Sequence, residues 1–274
     1  MSPLILAAIP AFLGSLYLMH RGGAPSGQIA QQAIVFCIVA LACALFSRKP
    51  RALTDKSRDR ALIVAAVLIA LPLLLPSTGP QRWLGAGGFR LYIASVVLPS
   101  TVLLLPQARS GGVILLLIAA ALAAQPDASQ ATAFALAGVT VLLRMHLSGL
   151  ARIGMSVALA GAATVVWLRP DPLEPVLYVE GVLALALTVS PIALMAALIA
   201  LALPVVVLLR LGQTPVAIYY LAIYFFAYRQ LTPMPLLGFG VGPILGYFSL
   251  LLCRLPDPVP IEGRWVFFKR ASTG

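Results

Sequence analysis

Apolar windows recur along almost the whole of this 274-residue chain, at 2–19, 29–46, 61–76, 92–106, 112–124, 128–143, 153–168, 177–209, 215–228 and 234–253. Short segments carrying charge, proline or glycine separate them. A hydrocarbon core of about 30 Å takes roughly 20 helical residues to cross, and shorter windows are accommodated by tilt or local thinning. Because irregular backbone cannot face lipid, such a chain is expected to be all-α: a polytopic integral membrane helix bundle with about ten transmembrane helices. Composition agrees, with 61% hydrophobic and 10% charged residues and a mean hydropathy of +1.01, whereas a soluble domain carries about 25% charged residues. A secreted enzyme, a disordered chain and a disulfide scaffold are excluded. The expected organisation is a single transmembrane helical domain over 1–253 and a short cytoplasmic tail over 254–274.

The net charge of +11 could indicate a polyanionic partner, but in membrane proteins basic residues collect in cytoplasmic loops as an orientation signal. Placing the 47–60 loop inside puts Arg48, Lys49, Arg51, Lys56, Arg58 and Arg60 in the cytoplasm. If the long eighth window, which contains Pro191 and Pro204, crosses once, fourteen basic residues lie inside and five outside. If it crosses twice the division is ten against nine. The first arrangement is expected, with ten spans, both termini cytoplasmic and no nucleic-acid partner.

The first window lacks a positive leading region and a small-residue cleavage site, and reads as a retained helix. Cys37, Cys43 and Cys253 lie inside apolar windows without metal-ligand spacing and read as packing residues. His20 and His146 fall on opposite sides of the bundle. Gly238, Gly242 and Gly246, four residues apart in the last window, would allow close approach of another backbone.

Ionisable groups inside a membrane are costly. Asp55, Asp59, Asp257 and Glu262 are cytoplasmic neighbours of bases, whereas Asp127, Asp171, Glu174 and Glu180 map to the outer side with Arg21, Arg82, Arg90, Arg169 and Arg229. Two readings stand side by side. These residues are helix-end groups solvated by headgroups, or they surround one outer cavity in which arginines hold phosphate oxygens and a carboxylate handles a proton.

Four stretches carry a family resemblance. Gly79-Pro80-Gln81-Arg82-Trp83-Leu84, continued by Gly88-Phe89, is similar to a Gly-Ala-Arg-Arg-Trp-Ile outer loop. Gln125-Pro126-Asp127 resembles a Gln-Pro-Asp-Leu-Gly-Thr motif, and Asp171-Pro172-Leu173 resembles an Asp-Pro-Leu-Gly element. The segment from Leu231 to Gly240 is similar to a last outer loop rich in Leu-Pro and Gly-Gly. Together, in order and membrane side, they resemble the shape, elongation, division and sporulation (SEDS) glycosyltransferases, the family of FtsW and RodA.

The resemblance implies a fold of ten spans in the bacterial cytoplasmic membrane. It also implies polymerisation of lipid II, or another polyprenyl-diphosphate-linked sugar, at the outer face during elongation or division, beside a single-span transpeptidase partner. Asp171 is then the catalytic base. Arg82 contacts the diphosphate, since a guanidinium offers phosphate a bidentate fork, and Trp83 and Glu180 bind substrate. Asp127 positions Arg82 or helps hold a divalent cation, Mg or Mn. Each residue also has a plainer role: a loop acid beside Arg169 for Asp171, headgroup snorkelling for Arg82, an interface anchor for Trp83 and a helix N-cap for Asp127.

The departures are specific. After Phe89 the family's Gln-Pro-Ser-Glu is replaced by Arg90-Leu91-Tyr92-Ile93, and the large outer loop after the aspartate is almost absent, with Glu180 the stand-in for the family's Glu-Glu-Leu-Gly. They leave open a compact polymerase and a non-catalytic SEDS-like scaffold or lipid-binding subunit of an envelope complex; ten spans with polar outer residues and no internal repeat leave a lipid or small-solute transporter as a third reading.

Overall fold

A computed structural model describes residues 2–46, 53–75, 81–86, 89–169 and 174–253, with the backbone alone for Ala86 and Phe89. Asp171 and the 254–274 tail, both named above, lie outside the described residues. The described chain is all-α apart from one hairpin. Its helices are α1 (Pro3–Arg21), α2 (Ser26–Phe46), α3 (Asp55–Leu74), α4 (Ile93–Leu104), α5 (Gly111–Ala124), α6 (Ala128–Leu142), α7 (Gly149–Trp167), α8 (Val182–Val189), α9 (Pro191–Arg210), α10 (Thr214–Tyr228) and α11 (Val241–Leu252). The strands β1 (Trp83–Ala86) and β2 (Phe89–Tyr92) pair antiparallel between α3 and α4.

The bundle has an apolar exterior. In α2 the buried residues are Gln32, Phe36 and Cys43, while Ile34, Ile38, Leu41 and Leu45 are each more than half exposed. A helix of a soluble protein shows the reverse, with charge on its open face. Helices α1, α2, α7 and α9 are each long and apolar enough to cross a membrane. This is a helical membrane protein. At its centre lie α4, α6, α10 and α11; ten of the twelve residues of α4 are buried.

The eighth apolar window is broken by the chain at Ser190, which is extended (φ −174°, ψ 156°). The residue before a proline is driven out of the helical region, and proline itself is well suited to the first helical position, so Pro191 ends α8 and starts α9. The Ser190 hydroxyl caps the new helix by accepting from the Ala193 amide at 3.0 Å. Eight residues of α8 span about 12 Å, too little to cross. Pro204 lies within α9 without ending it.

Loops gather at two ends. At one, Arg58 donates to the Gln107 carbonyl at 2.8 Å and Asp55 pairs with Arg58 and Arg109 at 3.2 and 3.6 Å. Ser110 donates to Asp59 at 2.8 Å. Asp55 thus has the basic neighbours expected of it, whereas the partner seen for Asp59 is Ser110. Arg144, after α6, donates to the Gly212 carbonyl before α10 at 2.8 Å, and its desolvation lowers its pKa. At the hairpin end, Gln32 of α2 donates to the Gly238 carbonyl at 3.0 Å and accepts from the Gly240 amide at 3.2 Å. Ser129 of α6 reaches the Leu231 carbonyl at 3.2 Å.

One detail departs from expectation. The last helix starts at Val241, so Gly238 lies in the preceding loop, where a Cβ would strike the Val179 carbonyl. Gly242 and Gly246 do bring α11 against the start of α4, where added Cβ atoms would overlap the Ser95 hydroxyl and the Ser95 carbonyl oxygen. Backbone cannot yield as a side-chain tip can, so Gly246→Val should destabilise the protein by about 1–3 kcal/mol. Thermal unfolding in detergent checks this.

Candidate functional site

The hairpin ends in Tyr92, which occupies the position just before α4 and is 4% exposed. Its phenol donates to Oδ2 of Asp127. Asp127 is itself 1% exposed, and its Oδ1 accepts from the Gln130 amide at 3.2 Å as the N-cap of α6. The plainer role foreseen for Asp127 is therefore present, and its carboxylate is also the anchor of the hairpin. Desolvation first, and then the charge of Asp127, hold the Tyr92 phenol protonated well above its ordinary range, against a smaller opposing effect of Arg82.

Arg82 sits in the same assembly. Its guanidinium carbon lies 5.8 Å from the centre of the Tyr92 ring, and Nη1 donates to the Pro126 carbonyl at 3.3 Å. This is cation–π geometry in a desolvated setting, the circumstance in which such contacts are strongest. Trp83 stacks on the same tyrosine, with ring centres 5.0 Å apart. Arg82, Trp83 and Asp127 are thus brought together, with Tyr92 in the middle.

Above them opens a cavity of about 450 Å³. Trp83, Arg90 and Tyr92 supply one wall, Gln28 and Gln31 of α2 another, Glu174 and Glu180 a third, and the residues from Phe239 into α11 the fourth. Its size falls in the range of small-molecule sites, and it pairs apolar walls with a few polar groups, as such sites do. Glu180 reaches the cavity from a turn that its own carboxylate closes, accepting from the Val176 amide at 2.9 Å. Arg82 and Asp127 lie beneath the cavity and do not line it.

Two of the outer arginines go elsewhere. Arg169 donates to the Ala123 and Ala124 carbonyls at 3.1 and 3.0 Å, closing the C-terminus of α5, where a cation is favoured by the helix dipole. Arg229 lines a separate groove of about 480 Å³ with Leu183, Leu187 and Leu194. Among the described residues no three His, Cys, Asp or Glu side chains gather to hold a metal ion. Asp127, whose two oxygens accept from Tyr92 and from the Gln130 amide, does not fit the part of a cation ligand.

Sequence reasoning set Arg90 only among the outer charges, with no role of its own, and missed Tyr92 altogether as a site residue, because both stand where the resembled family has something else. It also missed Gln32, a polar residue on an apolar helix, which fixes the 238–240 segment that walls the cavity. The hairpin did leave a signal: Gly87 and Gly88 fall between the paired Ala86 and Phe89, and a two-residue glycine connection favours a tight hairpin.

Compared with known proteins, the chain matches no family model and no curated protein.

Tyr92→Phe keeps the ring against Trp83 and Arg82 but takes one hydrogen-bond donor from a buried carboxylate. It should cost about 1–3 kcal/mol of stability. Unfolding of the detergent-solubilised protein measures this, with Trp83→Phe, which removes no hydrogen bond seen here, as the milder comparison.

Proposed function

We propose that the chain is a compact SEDS-like glycosyltransferase that polymerises lipid II at the outer face of the cytoplasmic membrane. The observation that supports this reading most is the cavity at the hairpin end. Residues from α2, the hairpin, the segment before α8 and the segment before α11 converge there, and three of the four stretches that resemble the family lie on or under its walls. Ten spans with both ends cytoplasmic suit the alternation of loops between the two ends. The Arg144–Gly212 contact supports a single crossing by α9, with α8 on the outer side.

In this reading a sugar hydroxyl of one lipid-linked chain attacks the anomeric carbon of another. The C–O bond to diphosphate breaks, and the diphosphate leaves as an anion that needs cations more than a general acid. Asp171 accepts the hydroxyl proton, an assignment that rests on the motif alone. Arg90, which lines the cavity, is the residue that meets phosphate oxygens in this reading. Arg82 acts from beneath, adding positive potential and holding the Tyr92 ring, so the direct phosphate role expected for it passes to Arg90. A single-span transpeptidase remains the partner that the resemblance implies.

A second reading, a non-catalytic lipid-binding subunit of an envelope complex, is favoured by the commitment of Asp127 to structure and by the brevity of the segment before α8. One experiment separates the two. Purified wild-type protein should extend labelled lipid II, Asp171→Ala should lower the rate by about 10²–10⁴-fold, and Arg90→Gln should raise KM more than it lowers kcat. Binding of lipid II with no polymer from the wild type, alone or with its partner, would establish the second reading.

A further inference from the structure

The groove beside α8 shares no lining residue with the large cavity. Leu183 and Leu187 of α8 and Leu194 of α9 make its apolar walls, and Tyr228, Arg229 and Gln230, where α10 ends, bring its polar groups. It opens on the apolar exterior, with Leu187 53% and Tyr228 65% exposed. It lies towards the hairpin end, since the next residue, Leu231, accepts from Ser129 at the head of α6. Arg229 is exposed, and among the described residues no hydrogen bond or ion pair engages its guanidinium. Among the described residues that line the groove none is acidic.

Gln230 stands where glycine is the ordinary choice. The Leu231 amide donates to the Phe226 carbonyl at 3.0 Å and the Gln230 amide to the Ala227 carbonyl at 2.9 Å, the paired bonds of a Schellman closure. That closure needs a left-handed residue, and α1 and α9 end with the same pair of bonds around Gly23 (φ 73°) and Gly212 (φ 71°). In α10 the position is held by Gln230 at φ 60°. A Cβ is strained in that conformation, and what the chain gains from it is a side-chain amide, with two N–H donors, beside Arg229 in the groove.

A groove on the lipid-facing side of a membrane protein is filled by lipid, and this one combines the two chemistries of a phospholipid. The leucine walls suit an acyl chain. Arginine and tyrosine at a helix end stand at headgroup level, and a guanidinium offers phosphate oxygens a bidentate fork. A cationic headgroup would find no acid here to meet. We propose that the groove is a binding site for an anionic phospholipid, with its phosphodiester held by Arg229 and Gln230 and one acyl chain against Leu183, Leu187 and Leu194. The site rests on the membrane fold alone and not on the enzymatic reading, and its readout is lipid binding rather than a catalytic rate.

Native mass spectrometry of the detergent-solubilised full chain, titrated with phosphatidylglycerol or phosphatidylcholine, tests it. The wild type should bind its first phosphatidylglycerol more tightly than phosphatidylcholine, and Arg229→Gln should weaken the phosphatidylglycerol complex about fivefold. Arg21→Gln, which removes another exposed arginine from the end of a helix but not from the groove, should leave it unchanged. Gln230→Gly should weaken binding by about two- to tenfold while the unfolding midpoint stays level or rises, because the left-handed strain is relieved; a role in closing the helix alone would leave the affinity unaltered. Inorganic phosphate should not displace the lipid, since it brings nothing for the leucine walls. Equal binding of the two lipids, an equal loss in Arg21→Gln, unaltered affinity in Arg229→Gln or Gln230→Gly, or displacement by phosphate would each overturn the proposal.

Discussion

The hydrogen bond from Tyr92 to Asp127 ties the hairpin end of this bundle together. It joins a short pair of strands to the N-terminus of a central helix, and does so where water is excluded. A carboxylate that is 1% exposed is tolerable only if its oxygens are engaged, and here one caps α6 while the other holds the hairpin. The aromatic ring of the same tyrosine then organises Trp83 on one contact and Arg82 on another. The Arg82, Trp83 and Tyr92 arrangement thus depends on an acid more than thirty positions away in the chain.

That local order matters because the rest of the exterior is made for lipid. Leucines and isoleucines cover the outward faces of α2, α7 and α9, and such surfaces have no preference for one polar ligand over another. At the hairpin end, by contrast, polar side chains fixed by backbone contacts surround a cavity. Gln32 holds the segment before α11, Glu180 closes its own turn, and Ser129 grips the Leu231 carbonyl. A cavity built from so many separate segments keeps its shape only while each of these tethers holds.

Much of the fold was legible in the sequence, since a span of apolar residues in lipid has little choice but helix. Window and helix agree closely for α1 and α10. The exceptions have local causes: Pro191 forces its predecessor out of the helical region and divides the eighth window, and the glycines and prolines of 233–240 delay the last helix to Val241. The site was legible only in part. Arg82, Trp83, Asp127 and Glu180 were drawn from short motifs, and the structure brings the first three around one tyrosine and puts Trp83 and Glu180 on the same cavity. Tyr92 escaped notice because nothing in a linear pattern says that a phenol at the head of one helix will meet the cap of another. Which arginine lines the cavity is likewise a matter of tertiary placement, and it is Arg90.

The most direct test of a shared ligand cavity at the hairpin end is photo-crosslinking to labelled lipid II from a benzophenone amino acid placed at Gln31 or at Val241. These positions lie on opposite sequence ends of the chain but on one cavity wall set. Both should capture lipid II in membranes, with capture reduced by Arg90→Gln, while the same probe at Leu150, an exposed apolar position at the other end of the bundle, should not. Equal capture at all three positions, or none at the cavity, would contradict the account.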